Sequence, residues 1–222
     1  MILVMTLLAL GGAPAPAADL TDTGRETTMD PQATRGITWT SVEQATLDRG
    51  EAVSRYWKDG DGRSRGLSAV VVHAPAAAVW HAIVDFDAYV EFMPYVTASY
   101  VTSWEEAQDY TRILAGYQLT TLGVNTRYKL DNRWYPDQGL LIFDVRPEGS
   151  GPISAGDGFW RVSPWKGAGA VLLEYSVDMS MQWWVPSVLE RKAASRLPTV
   201  VRLMKRQAER DPQARPSPAG PR

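Results

Sequence analysis

The clearest pattern in the chain is the alternation that closes its second half. Val171, Leu173, Tyr175, Val177, Met179 and Met181 fall on one face, and Glu174, Ser176, Asp178 and Ser180 on the other. A period of two marks a strand with one buried face. The same period runs through 124–135, where Tyr128, Leu130 and Trp134 oppose Arg127, Lys129, Asp131 and Arg133. Apolar-rich runs over 95–104, 109–121, 139–146 and 158–165 complete a set of six strands, which short connections such as "PDQG" and "KGAGA" join as antiparallel neighbours. The alternation predicts one face inside and one in water.

Upstream, "KDGDGRSRG" is a turn between two strands, the second being the apolar run Leu67–Val72. Ser41 followed by Gln44 has capping-box spacing and predicts a short helix from about Val42 to Asp48. Pro75 suits the first position of a helix carrying Val79, Ile83 and Phe86 on one side. Asp87 is placed to cap a second short helix with Tyr89, Val90, Phe92 and Met93, ended by Pro94. The segment "VPSVLERKAASRLPTVVRLMKRQAER" puts Val185, Val188, Leu189, Ala193, Leu197, Val200, Val201 and Met204 at helical spacing, with most of its basic residues off that stripe. This predicts one long amphipathic helix, kinked or broken at Pro198. The stripe and the apolar sheet face must bury each other. The expected class is therefore α+β, a curved antiparallel sheet wrapped around a long C-terminal helix, with two short helices after the first strands.

The 222 residues suit one domain with extensions. Residues 1–18 read as a secretory signal, with an apolar run too short for a bilayer followed by A-x-A sites, although no Lys or Arg precedes it. Residues 19–40 read as a polar linker, 41–210 as the domain and 211–222 as a Pro-rich tail. The expected localisation is exported, periplasmic or secreted. A net charge of −2 gives no footprint for nucleic acid. With no cysteine and two histidines, His73 and His81, thiolate and His-rich metal sites are excluded, and no motif calls for a cofactor. "KGAGA" lacks the strand–turn–helix setting of a phosphate loop.

The stretch "VVHAPAAAVWHAIVDFDAYVEFMPYVTASYV" resembles the opening signature of the START-like (SRPBCC, helix-grip) proteins, and more narrowly the polyketide cyclase/dehydrase and coenzyme Q-binding branch. Trp80, Asp85, Tyr89, Phe92, Pro94 and Val96 match in place, and the resemblance extends over residues 50–208. It implies a cavity between sheet and long helix that holds a hydrophobic molecule. On that implication the wall is Trp80, Phe92, Tyr117, Trp134, Phe143, Trp160, Tyr175, Met179, Val188, Leu197 and Val201, and the entrance Trp183, Trp184, Tyr89 and Met93. An empty apolar void of ~300 Å³ would cost on the order of 7 kcal/mol, comparable with a domain's whole stability. Such a space is expected to be filled, hydrated or partly collapsed.

Catalytic chemistry is harder to find. Asp85 and Asp87 sit at a helix junction and need not face each other, and no nucleophile is placed with His81. Next to an inward Trp160, Arg161 is expected in solvent. Trp183 and Trp184 have two readings, core packing or peripheral contact with a membrane interface. The expectation is an exported, non-enzymatic protein that binds or carries a lipid or other hydrophobic small molecule. The alternatives are a cyclase/dehydrase acting on a polyketide-like substrate and an envelope interaction module. The sequence does not name the oligomeric state.

Overall fold

The computed structural model describes residues 37–58, 64–121, 124–148, 153–167, 169–181 and 196–216. Helix α1 (Ser41–Asp48) precedes strands β1 (Val53–Lys58) and β2 (Ser64–Val72). Helix α2 (Ala76–Val84), a 3-10 turn (Phe86–Ala88) and α3 (Tyr89–Phe92) follow. Then come β3 (Val96–Glu106), β4 (Thr111–Thr121), β5 (Val124–Tyr135), β6 (Leu140–Glu148), β7 (Ile153–Pro164) and β8 (Val171–Met181). The last element is α4 (Leu197–Arg210).

All eight strands form one curved antiparallel sheet, ordered β1-β2-β8-β7-β6-β5-β4-β3. The run β3–β8 is a meander, and β8 closes it by pairing with β2, Leu67 opposite Ser176. Helices α2 and α3 fill the crossover from β2 to β3, so they lie over the inner face. There Val70, Val79, Ile83, Phe86, Leu141, Leu173, Val201 and Met204 form the main core.

Helix α4 docks by Leu197, Val201, Met204 and Ala208, spaced one turn apart and all buried. Burying side chains the size of Val201 and Met204 stabilises by about 1.5–3 kcal/mol each. Its polar ends are tied down as well. Lys205 Nζ donates to Gly50 O at 3.2 Å, and the His73 backbone N–H donates to Glu209 at 2.9 Å. Pro198 stands in the first turn of α4, which begins at Leu197 after the Arg196 cap, so the expected interruption falls here, where a missing N–H costs nothing. The N-terminal part of the expected long helix, with Val185, Val188 and Leu189, lies outside the described residues.

Three local expectations shift. The cap of α1 is Thr40, one residue earlier than Ser41. Glu43 N–H donates to Thr40 Oγ1 at 3.3 Å, and Thr40 N–H donates to Glu43 Oε2 at 2.8 Å. Arg55 on β1 holds the same carboxylate, which favours Glu43 over Gln44 as the third residue of the box. Asp87 caps no helix, because Ala88 precedes α3. Its Oδ1 accepts from Val101 N–H at 2.9 Å and pins the helical turn to β3.

The outer face is the larger correction, since it is not uniformly wet. Trp39, Leu47, Val53, Leu67, Ala69, Val71, Leu140, Ile142, Phe159 and Leu172 form a second core there. Trp39, assigned to the linker from sequence, is buried, and its Nε1–H donates to Glu174 at 3.2 Å. Asp131, Glu174 and Asp178, expected in water, are buried. Arg161 is also shielded, with only 16% of its side chain exposed, and it faces Glu174 at 3.6 Å. Packing by α1 and its leading residues removes water from this part of the sheet.

Candidate functional site

The inner face carries most of the aromatic residues, and the strand period explains why. In β5, Tyr128, Leu130 and Trp134 point inward with Asn132; in β8, Tyr175 and Val177 do so with Leu173; in β6 and β7, Phe143 and Trp160 do. Antiparallel pairing places these positions side by side. Tyr117 stacks on its register partner Tyr128 with ring centroids 5.4 Å apart and planes at 13°. Trp160 stacks on Tyr175 at 4.2 Å, and Phe143 lies against Tyr175 at 6.1 Å. At the far end of the same face, Trp134 meets Trp80 of α2 at 5.8 Å and Trp104 of β3 at 6.3 Å.

These side chains do not all pack solidly. Tyr128, Leu130 and Trp134 lie on a strand flanked on both sides, as do Tyr175 and Val177, yet all five are only half-buried. Burial nevertheless pushes the phenols of Tyr128 and Tyr175 above their ordinary value. These five side chains therefore leave accessible apolar surface on the inner face. Tyr89 and Tyr117 are pushed up too, first by burial and then by neighbouring phenols and the carboxylates of Asp85 and Asp87.

Polar groups on this face are unevenly served. Asn132 donates to Ile113 O at 2.9 Å, and Tyr89 OH donates to Ile83 O at 2.6 Å. Tyr117 OH and Trp134 Nε1 are buried without a hydrogen-bond partner among the described residues. A buried polar group left unpaired costs about 1–3 kcal/mol, so each points to a missing acceptor or donor. The charged residues follow the opposite parity. Arg112, Lys129, Asp131, Asp144, Arg146, Asp157, Glu174 and Asp178 alternate with the inward side chains and lie on the outer face. The aromatic face of β4–β8 thus carries neutral polar groups only, among the described residues.

A groove of about 520 Å³ opens beside this face. Trp80 and Trp134 form its floor; Ala76, Pro136, Val162 and Pro216 are among the rest of its lining. The two tryptophans are shared between groove and aromatic face. No group of His, Asp or Glu among the described residues is arranged to hold a metal, and no described helix is long and apolar enough to cross a membrane.

Of the sequence-assigned wall, Trp80, Tyr117, Phe143, Trp160 and Val201 are buried in the main core, and Phe92, Trp134 and Tyr175 pack against it half-buried. Leu197 is buried above Gly66 at the start of α4. Tyr89, placed at the entrance from sequence, is buried with its hydroxyl satisfied, whereas Met93 is half-buried. The side chain of Met179, and Trp183, Trp184 and Val188 entirely, lie outside what is described. Tyr128 and Trp104 complete the ring contacts but were not assigned to the wall. Tyr128 was visible in the β5 alternation. Trp104 was hidden, because an irregularity between Val101 and Ser103 reverses the inward parity of β3.

Comparison with solved structures gives the same architecture. The chain is similar to the Zhui aromatase/cyclase from Streptomyces sp. R1128, with 17% identity, TM-score 0.55, and 68% of this chain and 97% of that one covered. It is similar to a STAR-related lipid transfer protein from Xanthomonas axonopodis, with 18% identity, TM-score 0.51, and 70% and 98% covered. It is also similar to a START superfamily protein from Mycobacterium smegmatis, with 16% identity, TM-score 0.51, and 72% and 99% covered. At these identities the likeness is one of fold. No curated protein sequence matches significantly. The model of one family, described as polyketide cyclase/dehydrase and lipid transport, matches residues 72–201, more than half of the chain, and the protein belongs to that family.

Proposed function

We propose that this protein binds or carries a lipid or other hydrophobic small molecule between the inner sheet face and the helices, without chemically changing it. The observation that carries the reading is the accessible surface left on Tyr128, Leu130, Trp134, Tyr175 and Val177, inward-facing side chains of strands paired on both sides. A space bordered by rings releases ordered water when an apolar molecule fills it, at about 25 cal/mol per Å² of apolar surface removed. The family description, which includes lipid transport, and the lipid transfer protein among the structural neighbours support the same reading. Residues 1–18 support export, which fractionation of cells expressing the full chain tests.

A second reading, cyclase-type catalysis, is favoured by one observation, the unpartnered Tyr117 hydroxyl on the inner face. Proton transfer near neutral pH needs a group that titrates there. The inner-face phenols are pushed the wrong way, and the carboxylates of β5–β8 lie on the outer face. Binding without turnover is therefore the stronger reading. Titrating the purified protein with a lipophilic fluorophore tests it. Saturable one-to-one binding that a lipid extract displaces is expected; emission that never saturates contradicts it.

A further inference from the structure

Tyr117 is 5% exposed, and its hydroxyl has no partner among the described residues. Its ring is already engaged. One face stacks on Tyr128, Phe86 approaches at 87° with centroids 6.2 Å apart, and Tyr89 lies at 5.8 Å. What the described residues leave unsatisfied is the O–H, which is shielded from solvent. We propose that Tyr117 is the specificity-determining donor of the internal site, selecting apolar ligands that carry a neutral acceptor oxygen, such as an ester or ketone carbonyl. This rests on the ligand-binding reading above.

Three observations separate a neutral acceptor from charged alternatives. A carboxylate would need a cation or several donors. The basic residues of β4–β7 (Arg112, Arg127, Lys129, Arg133, Arg146 and Arg161) lie on the outer face, while Asp87 contributes negative charge near Tyr117. A quaternary ammonium needs open aromatic faces, and Tyr117 is already stacked on Tyr128 and crowded by Phe86 and Tyr89. The phenol stays protonated over the whole physiological range, so it always has a hydrogen to donate. Trp134 Nε1 is a second unpartnered donor on the same face. It stands six positions along β5 from Tyr128, about 20 Å away at 3.3 Å per residue, beside the open groove. It therefore does not compete for the same ligand atom.

The test uses four probes of similar chain length: undecane, methyl decanoate, decanoate and decyltrimethylammonium. Each displaces the fluorophore from the full-length protein after organic extraction. The wild type is expected to favour methyl decanoate over undecane by about tenfold, the scale of one hydrogen bond that satisfies a buried donor. In Tyr117→Phe the ratio of ester to undecane affinity should fall to about one. The wild-type ranking stands as a test even if the variant folds poorly. Tighter binding of decanoate or decyltrimethylammonium overturns the inference and leaves the cavity standing, as does an ester preference that survives Tyr117→Phe. Failure of every probe to displace the fluorophore overturns both.

Discussion

The ring of Phe143 lies over the backbone of Gly158, its register partner across β6 and β7, on the inner face of the sheet. A Cβ at Gly158 would press into Phe143 Cζ and into the carbonyl oxygen of Ser176. The glycine is thus required by close approach rather than by turn geometry, and it lets Phe143 lie flat beside Tyr175.

Gly158→Ala is expected to destabilise by about 1–3 kcal/mol, because backbone on β8 cannot yield as a side chain can. Thermal unfolding measures this. An unchanged Tm contradicts the packing described.

Leu130→Trp separates a hollow interior from a solid one. Leu130 points inward between Tyr128 and Trp134 and is half-buried. In a packed core the larger ring costs about 1–3 kcal/mol. Beside a vacant space it should cost less than about 1 kcal/mol and abolish fluorophore binding. A variant that is strongly destabilised, or that still binds, counts against the space.

Asp131 is held on the outer face by Arg112, through bonds of 2.9 and 2.8 Å, and by Arg146. Burial opposes its ionisation, but the Arg112 hydrogen bonds and the charges of Arg112, Arg146 and Arg133 outweigh that and keep its carboxyl below the usual 3.8. A depressed folded pKa contributes stability above the unfolded value, lost as pH falls through the folded one. Asp131→Asn should therefore lower the Tm at pH 7 and flatten its fall below pH ~4. The loss should be about 2–4 kcal/mol, less than for a fully enclosed pair because both arginines are a third or more exposed. Equal acid limbs in the two proteins would contradict the assignment.

Glu174 behaves with the opposite sign. Burial raises its carboxyl above 4.5 despite Arg161 and the Trp39 bond. The folded state then holds a proton that the unfolded state has released, so this group's contribution falls as pH rises above about 4.5. Glu174→Gln keeps an acceptor for Trp39 and should remove that decline, measured as Tm against pH. A Tm profile that the substitution leaves unaltered would count against a raised carboxyl.

The inner face was legible because Tyr175, Val177, Tyr128 and Trp134 follow a strict period of two, and because the signature around Trp80 and Pro94 carries the family pattern. The outer face was not. Nothing in the alternation of Glu174 and Asp178 reveals that Trp39, far away in sequence, covers this face. Trp104 is turned inward by one irregular residue in β3, which no local pattern announces. The unpartnered Tyr117 hydroxyl was equally invisible, since sequence shows which groups face inward but not which of them find partners.

A hydrophobic molecule held against the aromatic face should travel with the purified protein. Native mass spectrometry of the full-length protein, before and after organic extraction, tests it most directly. The account predicts a noncovalent adduct of lipid-like mass in one-to-one ratio, removed by extraction and restored by adding back the extract. Protein that carries no adduct and accepts none would contradict it.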